Sequence, residues 1–201
     1  MRLRVFVLML FAALALPVAA LADSPPPALT GEHFEGTFSE SVGNCDSTPP
    51  AIHYHVSGIA TGPYPGTFNE TGIIVIPPEG TGFDLAPLLD ITVHFTIDSP
   101  AGQVDGTKTF VATSTGIGQC HEITPLQKLK MAKADDLAYR AVISTGPGAA
   151  RRYVDCGTSD LFFTQNTTLP PIEAFGEDFI SSLETAEREH PRGGPKMRVC
   201  D

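Results

Sequence analysis

The chain has 201 residues, with 13 Lys and Arg set against 23 Asp and Glu, a formal net charge of -10. A surface this acidic repels phosphate backbones and anionic bilayers, which sets nucleic acid aside as a partner. The length suffices for one domain with a sizeable core.

Residues 1–22 read as a signal peptide. Arg2 and Arg4 charge its start, Val5 to Leu16 is apolar, Pro17 ends the helix, and Ala20-Leu21-Ala22 offers a small-x-small cleavage pattern. The apolar run is shorter than the roughly 20 residues that cross a bilayer. The expectation is a secreted, extracellular protein with no membrane span after cleavage. Residues 23–31, with Pro25, Pro26 and Pro27 in a row, read as an extended linker.

From residue 32 the hydrophobic period is two. Phe34, Gly36 and Phe38 alternate with Glu35, Thr37 and Ser39; Ile52, Tyr54 and Val56 alternate with His53, His55 and Ser57. In "DITVHFTID" Ile91, Val93, Phe95 and Ile97 face one way and Thr92, His94 and Thr96 the other. Such alternation marks strands with one buried and one wet face. "VGNCDSTPP", "PPEGTG", "SPAGQ" and "STGPGAA" supply turns between them, and short connections make sequential strands pair antiparallel.

"GPYPG" at 62–66 lies between strands at 51–60 and 67–76 and has the chemistry of a hairpin tip. Gly62 and Gly66 permit positive φ, Pro63 and Pro65 preset φ, and Tyr64 can lie over the hairpin end. Tyr is also favoured at interfaces, so Tyr64 and Phe68 are kept as candidate binding residues. A faint echo, "GTFSES" at 36–41 and "GTFNET" at 66–71, reads as two strands with the same local needs.

Residues 123–136 admit a helix opening at Thr124-Pro125, but the alternation of Leu129 and Met131 with lysines favours a hairpin, with "KADD" turning into Leu137, Tyr139, Ala141 and Ile143. Residues 32–170 are thus expected to form an all-β domain. Over 171–201 the period changes: Phe175, Phe179, Ile180, Leu183 and Ala186 fall on one helical face, which predicts a C-terminal α-helix and a tail tied down by Cys200. The fold predicted is an antiparallel meander of seven or eight strands forming a small barrel, with a β-sandwich as the alternative.

Cys45, Cys120, Cys156 and Cys200 are an even number in a chain bound for an oxidising compartment, so two disulfides are expected, with the connectivity open. No Cys-x2-Cys spacing supports a zinc site among them. His53 and His55 share a strand face, and a meander brings the ends of the first and fifth strands together, so His121 joins them as a candidate zinc or copper ligand. The competing expectation is that these histidines are solvated residues opposite the apolar face. Asp155 and Asp160 have the makings of a weak calcium site or of ordinary turn carboxylates. "CHE" at 120–122 invites a Cys–His nucleophile, against which stands oxidation of the thiol. There is no G-x-S-x-G elbow, H-E-x-x-H or phosphate-binding loop.

"SGIATGPYPGTFNETGIIVI" at 57–76, "TFVATSTGIGQC" at 109–120 and "LAYRAVISTGPG" at 137–148 resemble segments of a family of secreted bacterial β-domains without assigned activity. The resemblance implies an extracellular all-β module and carries over no catalytic or binding residue. The C-terminal extension to Cys200 departs from it.

Three functions follow as expectations. The first is a non-catalytic extracellular binding or structural module, with a protein, glycan or small molecule as partner. The alternatives are a lipocalin-like carrier of a small apolar ligand, opposed by the bulky inward residues, and a metal-dependent enzyme using the His cluster.

Overall fold

The structure is a computed structural model that describes residues 24–45, 48–78, 84–124, 126–167, 170, 172–189 and 200. The expected signal peptide lies outside them. The described strands are β1 (His33–Asn44), β2 (Ala51–Thr61), β3 (Gly66–Val75), β4 (Ala86–Pro87), β5 (Asp90–Ser99), β6 (Gly102–Thr109), β7 (Thr115–Thr124), β8 (Gln127–Thr145), β9 (Arg151–Asn166), β10 (Ile172–Ser181) and β11 (Glu187–Arg188). Eight of them, β1, β2, β3, β5, β6, β8, β9 and β10, pair antiparallel in that order, and β10 returns to β1 to close a barrel. Closure removes the open edges a sandwich would leave.

β6 and β7 are two parts of one arm, interrupted at residues 110–114. β6 pairs with the second half of β8 and β7 with the first half, while β4 covers β7 and β11 extends the far edge of β9. The hairpin expected over 123–136 forms, with its turn between Thr124 and Gln127. "KADD" is therefore not the turn. It is a bulge within a continuous strand, where Asp136 has a φ of 59° and its carbonyl accepts the Ser114 hydroxyl at 2.7 Å.

The C-terminal α-helix expected over 171–201 requires correction. Residues 172–181 are β10, a barrel strand, with Phe175, Glu177 and Phe179 inside and Asp178 and Ile180 outside. A spacing of four, as between Phe175 and Phe179, satisfies a strand and a helix alike. Two partner strands decide between them, and Gly176 weakens the helix by roughly 1 kcal/mol.

Residues 24–28 run extended through the prolines, the chain turns at 29–32, where the Glu32 N–H donates to Leu29 O at 2.8 Å, and the segment packs across one end of the barrel. Pro27 bridges to Thr185, Gly31 N–H donates to Phe179 O at 3.0 Å, and Ala28 and Leu29 are buried. The rest of the core is the barrel lumen. Phe34 stacks on Phe68 with ring centroids 4.3 Å apart, and Phe179 sits against Phe34, Phe95 and Tyr139. An eight-stranded barrel is just wide enough for side chains to fill, and here aromatic rings fill it.

Candidate functional site

Two regions carry polar chemistry: a groove on the outer face and a charged cluster inside. On the outside, antiparallel pairing sets His55 opposite Thr71, Thr71 opposite His94, and His94 opposite Thr107. The neighbouring row sets His53 opposite Ile73 and Ile73 opposite Thr92. Thr71 is short between two taller imidazoles, so the middle of the row is low, and these residues line a groove of about 570 Å³. His94 Nε2 lies 3.4 Å from Asp105 Oδ2. Imidazoles and threonine hydroxyls offer donors and acceptors, and half-exposed Ile73 offers apolar contact.

Within the barrel, Lys108 from β6 contacts Glu70 from β3 and Glu177 from β10, all three fully enclosed. Tyr54 from β2 donates its hydroxyl to Glu70 Oε1 at 2.6 Å. The ammonium lies 5.0 Å from the Phe95 ring centroid and 5.4 Å from that of Phe179, close enough for cation–π attraction. Burial pushes the Glu177 carboxyl up to about 8, against the pull of Lys108 and with a further rise from Glu70. Near neutral pH that burial favours the protonated form of Glu177. The Ser159 hydroxyl faces the Glu177 carboxyl, and a hydrogen bond from it favours the ionised form. These groups are buried among the aromatic rings, where they form a polar core.

Tyr64 and Phe68 are both fully buried. The Tyr64 N–H donates to Glu32 Oε2 at 2.8 Å, and its hydroxyl donates to Pro27 O at 2.7 Å. The "GPYPG" tip thus turns inward and locks the segment at 24–32 over the barrel end; Gly62, at a φ of 132°, lets it approach Gly31 and Glu32. Tyr64 has no surface area to offer a partner. Glu32 is itself enclosed, and burial raises its carboxyl to about 7 despite the Tyr64 N–H.

The cysteines pair as Cys45–Cys120 and Cys156–Cys200, with Cα atoms 5.4 Å and 5.9 Å apart. Cys120 is oxidised, which removes the Cys–His nucleophile. Two disulfides suit an oxidising, extracellular setting. His53 and His55 share the outer face of β2, while His121 sits on β7 opposite Leu129. Among the described residues no group of three or more His, Cys, Asp or Glu side chains is placed to hold a metal ion. Asp155 is buried and accepts from Leu29 N–H at 2.8 Å, the Tyr139 hydroxyl at 2.9 Å and the Ser181 hydroxyl at 2.5 Å. Exposed Asp160 accepts from Asp136 N–H at 3.0 Å, so the two aspartates serve the protein's own donors.

Sequence reasoning offered Asp155 a calcium role where the structure gives it three protein donors, and it missed Glu32, Glu70, Lys108 and Glu177. For three of them parity was the signal: Glu70 falls in step with Phe68 and Ile74, Lys108 with Val104, and Glu177 with Phe175 and Phe179. No helix among the described residues is long and apolar enough to cross a membrane. No family model, curated protein or solved structure matches the chain.

Proposed function

We propose that this protein is a secreted, non-catalytic binding module that recognises its partner through the outer groove of β2, β3, β5 and β6. The observation that carries this reading is the division of space. The lumen is filled by Phe34, Phe68, Phe95, Phe179 and the Lys108 cluster, while the outer face holds a groove with polar and apolar groups. A preformed concave site on rigid strands is where recognition needs least ordering on binding. Lipocalin-like carriers also use antiparallel barrels, but they leave the lumen open to cargo, and rings occupy that space here.

The test is a glycan and peptide array probed with wild-type protein and with Thr71→Arg, which blocks the groove without touching the core. Binding lost in Thr71→Arg supports the reading. Binding that survives it places recognition elsewhere and refutes the groove.

A further inference from the structure

We infer that His53 and His55 form a two-histidine site for a borderline-soft divalent cation, copper(II) before zinc(II), on the wall of the outer groove. On an extended strand, residues two apart share a face, with Cα atoms about 6.6 Å apart at about 3.3 Å per residue. Imidazoles at that spacing can converge on one ion, each nitrogen at about 2.0 Å from it. Both side chains lie on the outward face of β2, beside Thr71 and Ile73 of β3, so an ion and the waters that complete its shell have open access.

The donor set selects the metal. Imidazole suits copper, zinc and nickel, whereas calcium and magnesium require clustered oxygen ligands. All four cysteines are in disulfides, so no thiolate competes. With no third His, Cys, Asp or Glu completing a group among the described residues, a closed four-ligand zinc site is not available here. Copper(II) is content with two nitrogens and water in a tetragonal plane, and it binds most tightly of the first-row divalent ions. The net charge of -10 raises the local concentration of any cation at this surface. The remaining coordination positions face the groove, where a carboxylate or amine of a partner can enter.

This inference rests on the outer groove as the binding surface, but the two fail separately. Copper(II) chloride is titrated into the metal-free mature protein near pH 7.5, where histidine is largely neutral, with zinc(II) and calcium(II) in parallel, followed by calorimetry and electron paramagnetic resonance. The expected result is one copper per chain, a signal with nitrogen coupling, weaker zinc binding and no calcium binding. His53→Gln and His55→Gln each weaken copper binding by at least about tenfold, as the loss of a ligand should exceed that of an outer-shell partner. His33→Gln and His121→Gln leave it unchanged, and all four variants keep the wild-type melting curve. Affinity falls as pH is lowered, because both ligands must be neutral. Absence of stoichiometric copper binding overturns the inference, as does binding that survives the double variant or disappears in His121→Gln. An array hit lost in Thr71→Arg without copper binding sinks the metal site and leaves the groove standing.

Discussion

Lys108 on β6 meets Glu177 on β10 across the lumen, although their strands stand three places apart in the ring. Their contact spans the barrel, with Glu70 of β3 completing the cluster and Tyr54 holding Glu70. A charge buried this way is tolerated only because every unit of charge has a partner or a proton.

That balance makes stability depend on pH. In the unfolded chain Glu177 and Glu32 titrate near 4.5, whereas in the folded chain burial raises them to about 8 and about 7. Above about 4.5 the folded state holds protons that the unfolded state has lost, so stability falls as pH rises through the folded values. Lys130 acts the other way. Burial lowers it from 10.5 to about 8, so stability recovers above about 8 as the unfolded chain retains that proton. At about 1.4 kcal/mol per pKa unit, the fall between pH 5 and pH 8 is on the order of a few kcal/mol. Urea unfolding midpoints should be highest near pH 5 and lowest near pH 8; a midpoint that rises between them contradicts this.

The two partners should respond oppositely to substitution. Lys108→Met leaves two buried carboxyls without their cation and is expected to cost about 3–5 kcal/mol, as does breaking any buried pair. Glu177→Gln keeps the shape and removes the proton. It should flatten the pH profile and match or exceed wild-type stability near pH 8. Chemical denaturation of both variants across pH reads the difference.

Asp155 ties the segment at 24–32 to the barrel through Leu29 N–H. Asp155→Asn puts an amide among three donors, which leaves at least one of them unsatisfied at about 1–3 kcal/mol. Amide exchange at Leu29, Gly31 and Glu32 should accelerate, while exchange in β2 and β3 changes little. Uniform acceleration across all strands would show that Asp155 has no local role.

Gly106 makes room for a ring. A Cβ built there would lie 2.4 Å from Phe95 Cζ, so Gly106→Ala forces the ring aside within a filled lumen. Overpacking of this kind costs typically about 1–3 kcal/mol, visible as a lower melting temperature. An unchanged melting temperature would mean that the lumen has spare volume.

Cys45–Cys120 ties the end of β1 to β7 and closes a chain separation of 75 residues. Cys45→Ser with Cys120→Ser should cost about 4.5 kcal/mol on the loop-entropy estimate, and Cys156→Ser with Cys200→Ser, at a separation of 44, about 4 kcal/mol. Calorimetry of the two double variants checks the ordering.

Parity made much of this barrel legible. The alternation of Ile91, Val93, Phe95 and Ile97 with Thr92, His94 and Thr96 places one set inside and the other outside, as observed. β10 was misread because its apolar spacing suits either element, and its partners, β1 and β9, are set by the closure of the ring. Tyr64 was legible as a hairpin end. That it turns inward depends on Pro27 and Glu32, more than 30 residues earlier in the chain. The outer groove escaped notice because His55, Thr71 and His94 meet only through strand register, which periodicity alone does not fix.

Native mass spectrometry of the purified protein tests most directly whether the lumen is filled and recognition left to the outside. The expected chain mass lies four hydrogens below that of the reduced protein, from its two disulfides, with no organic molecule retained. A retained apolar molecule that leaves only on denaturation would contradict it, because the lumen would then be a cargo site.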